Sequence, residues 1–178
     1  GVELYGWRDM STPFKDRLGT LMSNGLGGLA LVYCLLLLFL RPLLAMWVCV
    51  GIATAFLGAV ALMPVPGITL NMVSLFAFIM ILGILVDDAI IVGESVYSHQ
   101  ERGMLGQEGA IVGTQRMMKP VLFAVISTMI FFIPFFFLPE DQPEPRNMAW
   151  VVLLALTFSL IESLLILPAH LAQMKPEN

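Results

Sequence analysis

The sequence predicts an all-α membrane protein, an antiparallel bundle of five transmembrane helices. The first observation is composition, since 58% of the residues are hydrophobic and 12% are charged, about half the charged share of a soluble domain. The second is that the apolar residues fall in five runs, each close to the ~20 residues that a helix needs to cross a bilayer. The third is that prolines and charges lie between the runs. A soluble fold is excluded because too little polar sequence is present to cover its core.

The boundaries of the five predicted spans follow from the polar and proline residues that separate them. The spans are residues 21–40, 43–63, 72–96, 120–138 and 148–167. The first stops at Arg41-Pro42 and the second at Pro64–Gly67, because proline does not continue a helix. Asn71 is predicted to cap the third span. Short connections make successive spans antiparallel, except after the third span. There, residues 97–119 are predicted to form a cytoplasmic loop containing a short interfacial helix over 105–118.

The two ends of the chain are predicted to lie outside the membrane. Residues 1–12 are interpreted as the end of a missing extracytoplasmic domain, with a strand at 2–5. Residues 13–170 form the membrane segment, and 171–178 begin a cytoplasmic connector. Because the chain begins at Gly1 without an initiator Met or signal peptide, it is interpreted as an excerpt of a longer protein or a trimmed form.

Positively charged residues predict the orientation, since lysine and arginine are enriched in cytoplasmic connectors. With the N-terminus outside, the inner connectors hold Arg41, Arg102, Arg116, Lys119 and Lys175, whereas the outer connectors after the first span hold Arg146. Arg8, Lys15 and Arg17 count against this orientation, but the rule applies weakly beside a large exported domain. The prediction is an extracytoplasmic N-terminus and a cytoplasmic C-terminus.

Two adjacent aspartates, Asp87 and Asp88, lie in the third span within the otherwise apolar segment 77–93. A carboxylate at bilayer depth costs roughly 2.5–3.5 kcal/mol and is usually functional. At 1.5 Å per residue the pair lies near the midplane, displaced toward the cytoplasm. Both acids are predicted to face the bundle interior, where burial and mutual repulsion favour their uncharged forms. They are the candidate proton relay; the alternative is a static acid pair neutralised by buried cations.

The expected surroundings of the pair add two predictions. Gly83, one turn before Asp87, predicts the close approach of a neighbouring helix. Every lysine and arginine is predicted to lie outside the spans, so a countercharge for the pair has to come from outside these 178 residues.

Two further acids are candidates for proton handling. Glu162 lies in the fifth span with Ser159 and Ser163 on a nearby face. It is either a secondary proton site or a protonated residue that hydrogen-bonds between helices. Glu94 is seven residues after Asp87 and on the same helix face, where it lines an inner proton exit or is an ordinary interfacial acid.

The sequence predicts neither a metal site nor a cofactor site. Cys34 and Cys49 fall in apolar runs and are predicted to be buried thiols. His99 and His170 lack the spacing of metal ligands and are predicted to be solvated. No basic patch of the kind that binds nucleic acid is present.

The segment Gly83–Glu94 resembles the fourth-helix signature of the resistance-nodulation-division (RND) transporters, of the hydrophobe/amphiphile efflux type. Other parts of the first half of such transporters are similar to Pro66–Leu75, Phe131–Pro134 and Leu165–Leu171, and the glycine spacing over 103–121 resembles the following cytoplasmic loop. The resemblance covers nearly the whole chain and corresponds to transmembrane helices two to six of the first repeat.

The resemblance implies proton-driven export of drug-like or lipid-like compounds across a bacterial inner membrane, by a secondary active transporter rather than an enzyme. It assigns Asp87 and Asp88 as proton-relay residues, with a lysine of a missing second repeat as countercharge. It further implies a homotrimer with a periplasmic adaptor and an outer-membrane channel. Cargo recognition resides mostly in missing porter regions, so this chain does not specify the exported substrate. A non-transporting membrane scaffold or assembly module and an RND-related protein-translocation factor are the alternatives, which sequence beyond both ends would distinguish.

Overall fold

The computed structural model describes residues 11–38, 41–139 and 143–173, which form helices and short turns without a strand. The helices are α1 Ser11–Leu36, α2 Pro42–Leu62, α3 Met72–Glu101, α4 Gln107–Phe132, α5 Pro143–Ile161 and α6 Leu167–Leu171. A 3-10 turn, Ile133–Phe137, extends α4, and a π-helical turn, Glu162–Ile166, joins α5 to α6. The predicted all-α fold is confirmed. The strand predicted at 2–5 lies outside the described residues.

Four of these helical segments are long and apolar enough to cross a membrane. They are Pro42–Leu62, Met72–Glu101, Gln107–Phe137 and Pro143–Leu171. The first predicted span falls on α1, whose apolar part, Gly25–Leu36, is shorter than the ~20 residues that span a bilayer. The protein is therefore a multi-pass membrane protein with four long apolar helices in its described part.

The connection between α3 and α4 is shorter than predicted for residues 97–119. Helix α3 continues to Glu101 and α4 begins at Gln107, so the predicted interfacial helix is the first half of α4. Gly103 and Gly106 have φ values of 96° and 66°, which glycine adopts at little cost, and they reverse the chain within a few residues. Arg116 and Lys119, predicted to lie in a connector, are consequently on α4, where both are exposed.

Helix α4 lies against α3 instead of along the membrane surface because two of its glycines permit close packing. Gly109 and Gly113 are buried, and a Cβ at Gly113 would lie 2.6 Å from the Val96 Cα. Ser95 Oγ also donates a hydrogen bond to the Gly113 carbonyl oxygen at 2.9 Å. Small residues on one face of a membrane helix let a neighbouring backbone approach, and here they form an antiparallel pair.

The start of α3 is defined by a capping box. Asn71 Oδ1 accepts hydrogen bonds from the backbone N–H groups of Val73 and Ser74, each at 2.9 Å. Ser74 Oγ in turn accepts one from the Asn71 N–H at 2.7 Å. The predicted Asn71 cap is thus confirmed, and two N–H groups of the first turn have partners.

Helix α3 is the central element and packs against α2, α4, α5 and α6. Its buried stripe repeats every three to four residues, as expected for a packed helix face. The middle of the stripe includes Ile81, Leu85, Asp88, Val92 and Val96. An acid therefore occupies a position that the pattern reserves for an apolar side chain.

Candidate functional site

Asp88 is buried in the packed face of α3, with 5% of its surface exposed. Its Oδ2 atom has no hydrogen-bond partner among the described residues. An ionised carboxylate in such a place lacks the water or countercharge that would stabilise it. The geometry therefore favours the protonated acid unless a cation or a donor approaches.

Asp87 lies on a different face and is exposed. The prediction that both acids face the bundle interior is wrong for Asp87 among the described residues, because the buried face of α3 falls on adjacent pairs such as Asp88 and Ala89 and leaves position 87 outside it. Gly83 is also exposed, and a Cβ there would meet nothing within 4 Å. The close helix approach predicted at Gly83 is thus not made by the described residues. Glu94 is exposed one heptad after Asp87.

Glu162 is the second buried acid, with 4% of its surface exposed. Its carboxylate lies against Gly51 of α2, where an added Cβ would overlap it. Ser159 and Ser163 are buried on neighbouring positions, and Ser163 Oγ has no hydrogen-bond partner among the described residues. Sequence reasoning did not single out Gly51; a small residue inside an apolar helix was the available signal.

The π-helical turn that carries Glu162 is explained by Pro168. Proline lacks a backbone N–H, and its ring clashes with the carbonyl four residues earlier in an α-helix. Widening the turn by one residue relieves that clash, and the Leu167 N–H donates to the Glu162 carbonyl oxygen. Turns of this kind occur frequently at functional sites.

Asp88 and Glu162 lie at the same level of the bundle. A Cβ at Gly93 of α3 would lie 3.8 Å from Leu167 Cδ2 of α6, and Asp88 and Glu162 each precede their member of this pair by five residues. Further along both helices, Gln100 Nε2 donates to the Leu171 carbonyl oxygen at 2.9 Å, so the two segments run in the same direction. At 1.5 Å per residue, Asp88 lies about 7.5 Å from the Gly93 contact, and Glu162 lies one π-helical turn from it on the other segment.

The charged residues of the described chain are otherwise found away from this level or on exposed faces. No lysine or arginine is buried among residues 41–139 and 143–173. Arg41 forms an ion pair with Glu101 at 3.4 Å and lies 4.9 Å from the centre of the Tyr97 ring. Tyr97 OH also donates to Glu101 at 2.6 Å. This cluster joins α2 to α3 at one end of the bundle.

The histidine and cysteine predictions are partly corrected. His99 is buried, not solvated, and its Nδ1 hydrogen-bonds to the Ser95 carbonyl oxygen at 2.7 Å. His170 stacks on Trp47 with ring centroids 4.1 Å apart. Cys49 is buried as predicted, but Cys34 is exposed on α1, since α1 has fewer packed neighbours than the other long helices.

The sequence matches the AcrB/AcrD/AcrF family over residues 1–177. The chain belongs to this family of RND transporters. It is 32% identical over 98% of its length to the multidrug resistance protein MdtC of Yersinia enterocolitica. It is 30% identical over its whole length to the toluene efflux pump membrane transporter TtgE of Pseudomonas putida. The swarming motility protein SwrC of Bacillus subtilis is 28% identical over 90% of the chain.

The chain spans less than a fifth of these relatives, covering 18% of MdtC, 18% of TtgE and 16% of SwrC. Membership of the AcrB/AcrD/AcrF family agrees with the apolar helices of the described residues. The resemblance inferred from the Gly83–Glu94 segment is thus confirmed.

Proposed function

We propose that this chain is a membrane segment of a proton-driven RND exporter of drug-like or amphiphilic compounds, in which Asp87 and Asp88 couple proton influx to export. The observation that carries the proposal is the burial of Asp88 inside an apolar helix stripe with an unpartnered oxygen. Such a carboxyl is neutral when protonated and needs a cation when it is not. Protonation of the Asp88 carboxyl therefore changes which neighbouring groups stabilise α3.

Asp87 supports the proposal through its exposure, whereas Asp88 supports it through its burial. It is exposed near the middle of α3, and a carboxylate that faces lipid hydrocarbon is costly. Gly83, one turn away, leaves room for another backbone. A helix of a second repeat covers this face in our proposal and supplies the lysine that pairs with the acids.

The proposed orientation places residues 102–106 and Arg41 in the cytoplasm and Asn71 in the periplasm, with the chain in the bacterial inner membrane. A homotrimer with a periplasmic adaptor and an outer-membrane channel completes the assembly, as is general among RND transporters. MdtC is named for multidrug resistance and TtgE for toluene efflux, which supports an apolar or amphiphilic cargo. Recognition of that cargo is assigned to regions outside this chain.

The test replaces each aspartate in the complete transporter, reconstituted in vesicles under an imposed proton gradient. Asp88→Asn and Asp87→Asn keep the shape of the side chain but cannot exchange a proton, so both should abolish gradient-driven cargo efflux while leaving membrane insertion intact. Glu144→Gln, at an exposed acid in the first turn of α5, is the matched control and should retain efflux. Full efflux in both Asn variants would rule out the assignment. A parent protein that assembles but moves no cargo would indicate a scaffold instead.

A further inference from the structure

We propose that Glu162 and Ser163 form a second proton-binding site that exchanges protons with Asp88 inside the bundle. The inference rests on the proposed function and extends its proton path from α3 to the π-helical turn. A proton bound to one carboxyl moves to the other through the Ser163 hydroxyl. The hydroxyl accepts one proton as it donates its own, so the total charge of the site does not change.

The first support is burial. The Glu162 side chain is as inaccessible as that of Asp88, and no described residue donates a hydrogen bond to its carboxylate. Its closest packing partner is Gly51, whose missing side chain leaves the space that the carboxylate fills. An acid held in this way has no static partner among the described residues to stabilise its charge.

The second support is the shared level of the two acids. The Gly93–Leu167 contact puts Glu162 opposite Asp88, and the Gln100–Leu171 hydrogen bond, made by a long side chain, shows that the two segments run in the same direction. Helix α2 gives an independent measure. A Cβ at Gly93 would lie 3.1 Å from Leu44 Cδ1, and the Glu162 neighbour Gly51 is seven residues, or about 10 Å, further along α2. The Glu162 level is thus displaced from Gly93 toward Asp88.

The third support is the pair of unpartnered oxygens. Asp88 Oδ2 and Ser163 Oγ are both fully enclosed and lack hydrogen-bond partners among the described residues. Ser163 follows Glu162 in the same π-helical turn, and α3 packs against that turn. A buried polar group without a partner calls for an explanation, and a hydroxyl both donates and accepts. A proton that passes between the two carboxyls as these side chains reorient would give each of the two oxygens a partner in turn.

The groups around Glu162 do not offer it a compensating charge. Helix α2 contributes the buried thiol of Cys49, and α6 contributes His170, which stacks on Trp47. Helix α3 contributes Asp88, while its Asp87 and Glu94 are exposed. Helix α5 contributes the neutral Ser159. Two ionised carboxylates in one buried layer are strongly unfavourable, so the pair retains at least one proton.

Export measurements separate a proton carrier from a static hydrogen-bonding residue. Glu162→Gln in the complete transporter keeps the shape and the hydrogen-bonding groups but cannot carry a proton. Gradient-driven efflux should fall by about tenfold or more, within the range typical of coupling between two sites, and Glu162→Asp should recover part of it. Glu144→Gln on the same helix should behave as the parent. Parental efflux and an unchanged proton-to-cargo ratio in Glu162→Gln would overturn the proposal.

Infrared spectroscopy tests the site independently of the Asp88 assignment. In Asp87→Asn/Asp88→Asn protein, one protonated-carboxyl band that shifts in heavy water should remain, and adding Glu162→Gln should remove it. Persistence of that band without Glu162 would contradict the site even if Asp88 proves to be the coupling residue. If Asp88→Asn retains coupled efflux while Glu162→Gln loses it, the earlier assignment and the exchange with Asp88 both fail, and Glu162 stands as a proton site of its own.

A second variant covers the case in which Glu162→Gln does not fold. Ser163→Ala removes the bridging hydroxyl without changing charge and should slow proton flux, whereas Ser127→Ala should not. Ser127 is exposed and donates to the Phe123 carbonyl oxygen of its own helix at 2.7 Å. Equal proton flux in the two alanine variants would overturn the role of Ser163 as a bridge.

Discussion

At the scale of the residue, the environment of a carboxyl in this bundle is set by which helix face carries it. Asp87 and Asp88 are neighbours, yet one is exposed and the other is enclosed. Glu162 is distant in sequence but has the environment of Asp88 because Gly51 leaves it room. By environment, Asp88 therefore groups with Glu162, and Asp87 groups with the exposed face of α3.

Gly51 provides a residue-scale prediction. Gly51→Ala introduces a Cβ into the space of the Glu162 carboxylate, so it should destabilise the folded protein by about 1–3 kcal/mol, as overpacking of a core does. Gly27→Ala is the matched control, because a Cβ there meets nothing within 4 Å and alanine favours a helix. Thermal unfolding in detergent gives the comparison. A Gly51→Ala protein as stable as the Gly27→Ala protein would mean that Glu162 does not occupy that space.

At the residue scale, the sequence predicts features that composition decides and misses those that packing geometry decides. An acid inside an apolar run is visible in the sequence, so Asp88 and Glu162 stand out as candidate proton sites, and that role stays a prediction. Which face each acid occupies depends on the packing of α3 against four other elements, and the sequence contains no record of that packing. His99 was misjudged for the same reason, since its backbone partner Ser95 lies one turn earlier on the same buried face.

At the scale of the element, the ends of α3 are held by different interactions. Its first turn is fixed by the Asn71–Ser74 capping box. Its last turns are tied to α2 by the Arg41–Glu101 ion pair, to α4 by Ser95 and to α6 by Gln100. The acids lie between these attachments, on a stretch of α3 that none of these interactions involves.

The capping box gives an element-scale prediction. Asn71→Ala removes the acceptor for two backbone N–H groups and should cost about 1 kcal/mol of stability. Asn71→Asp restores an acceptor and should recover most of that loss. Chemical denaturation of the three proteins in the same detergent measures both changes. If Asn71→Ala and Asn71→Asp are equally destabilised, the box does not contribute through its side-chain acceptor.

The boundary between α3 and α4 marks the limit of prediction for whole elements. The polar residues of 97–119 indicated a loop, but they are divided between the end of α3, a short connection at 102–106 and the first half of α4, which continues through Pro120. Gly109 and Gly113 held the relevant signal, because small residues one turn apart permit a close helix pair. Apolar runs predict the positions of helices well, whereas the polar ends of long helices are mistaken for connectors.

At the scale of the whole molecule, α3 is surrounded on one side and open on the other. Large apolar side chains such as Phe76 and Ile79 are exposed on α3, as are Phe123 and Phe131 on α4. In a membrane protein, such surfaces contact lipid or further helices. Asp87 is an exposed acid among these apolar side chains. We expect a protein partner on the face that carries Asp87 and lipid on the exposed faces that are entirely apolar.

Topology is the prediction that belongs to this scale. Single cysteines placed at 103–105 should react with a membrane-impermeant reagent from the cytoplasmic side of sealed vesicles, and cysteines at 65–67 from the other side. A background with Cys34 and Cys49 replaced by alanine removes the native thiols. Labelling of 103–105 from the periplasmic side would invert the proposed orientation and reverse the direction in which the acids release protons.

The π-helical turn between α5 and α6 has a consequence for how this sequence tolerates length changes. A turn of this kind holds one residue more than an α-helical turn, so it behaves as a one-residue insertion that the helix has absorbed. Deleting the exposed Leu165 would close the turn to an α-helical one in which the Leu167 N–H still donates to the Glu162 carbonyl oxygen, so Leu167 and Leu171 would keep facing Gly93 and Gln100. The same deletion in a regular α-helical part of α5 would instead rotate everything after it by ~100°.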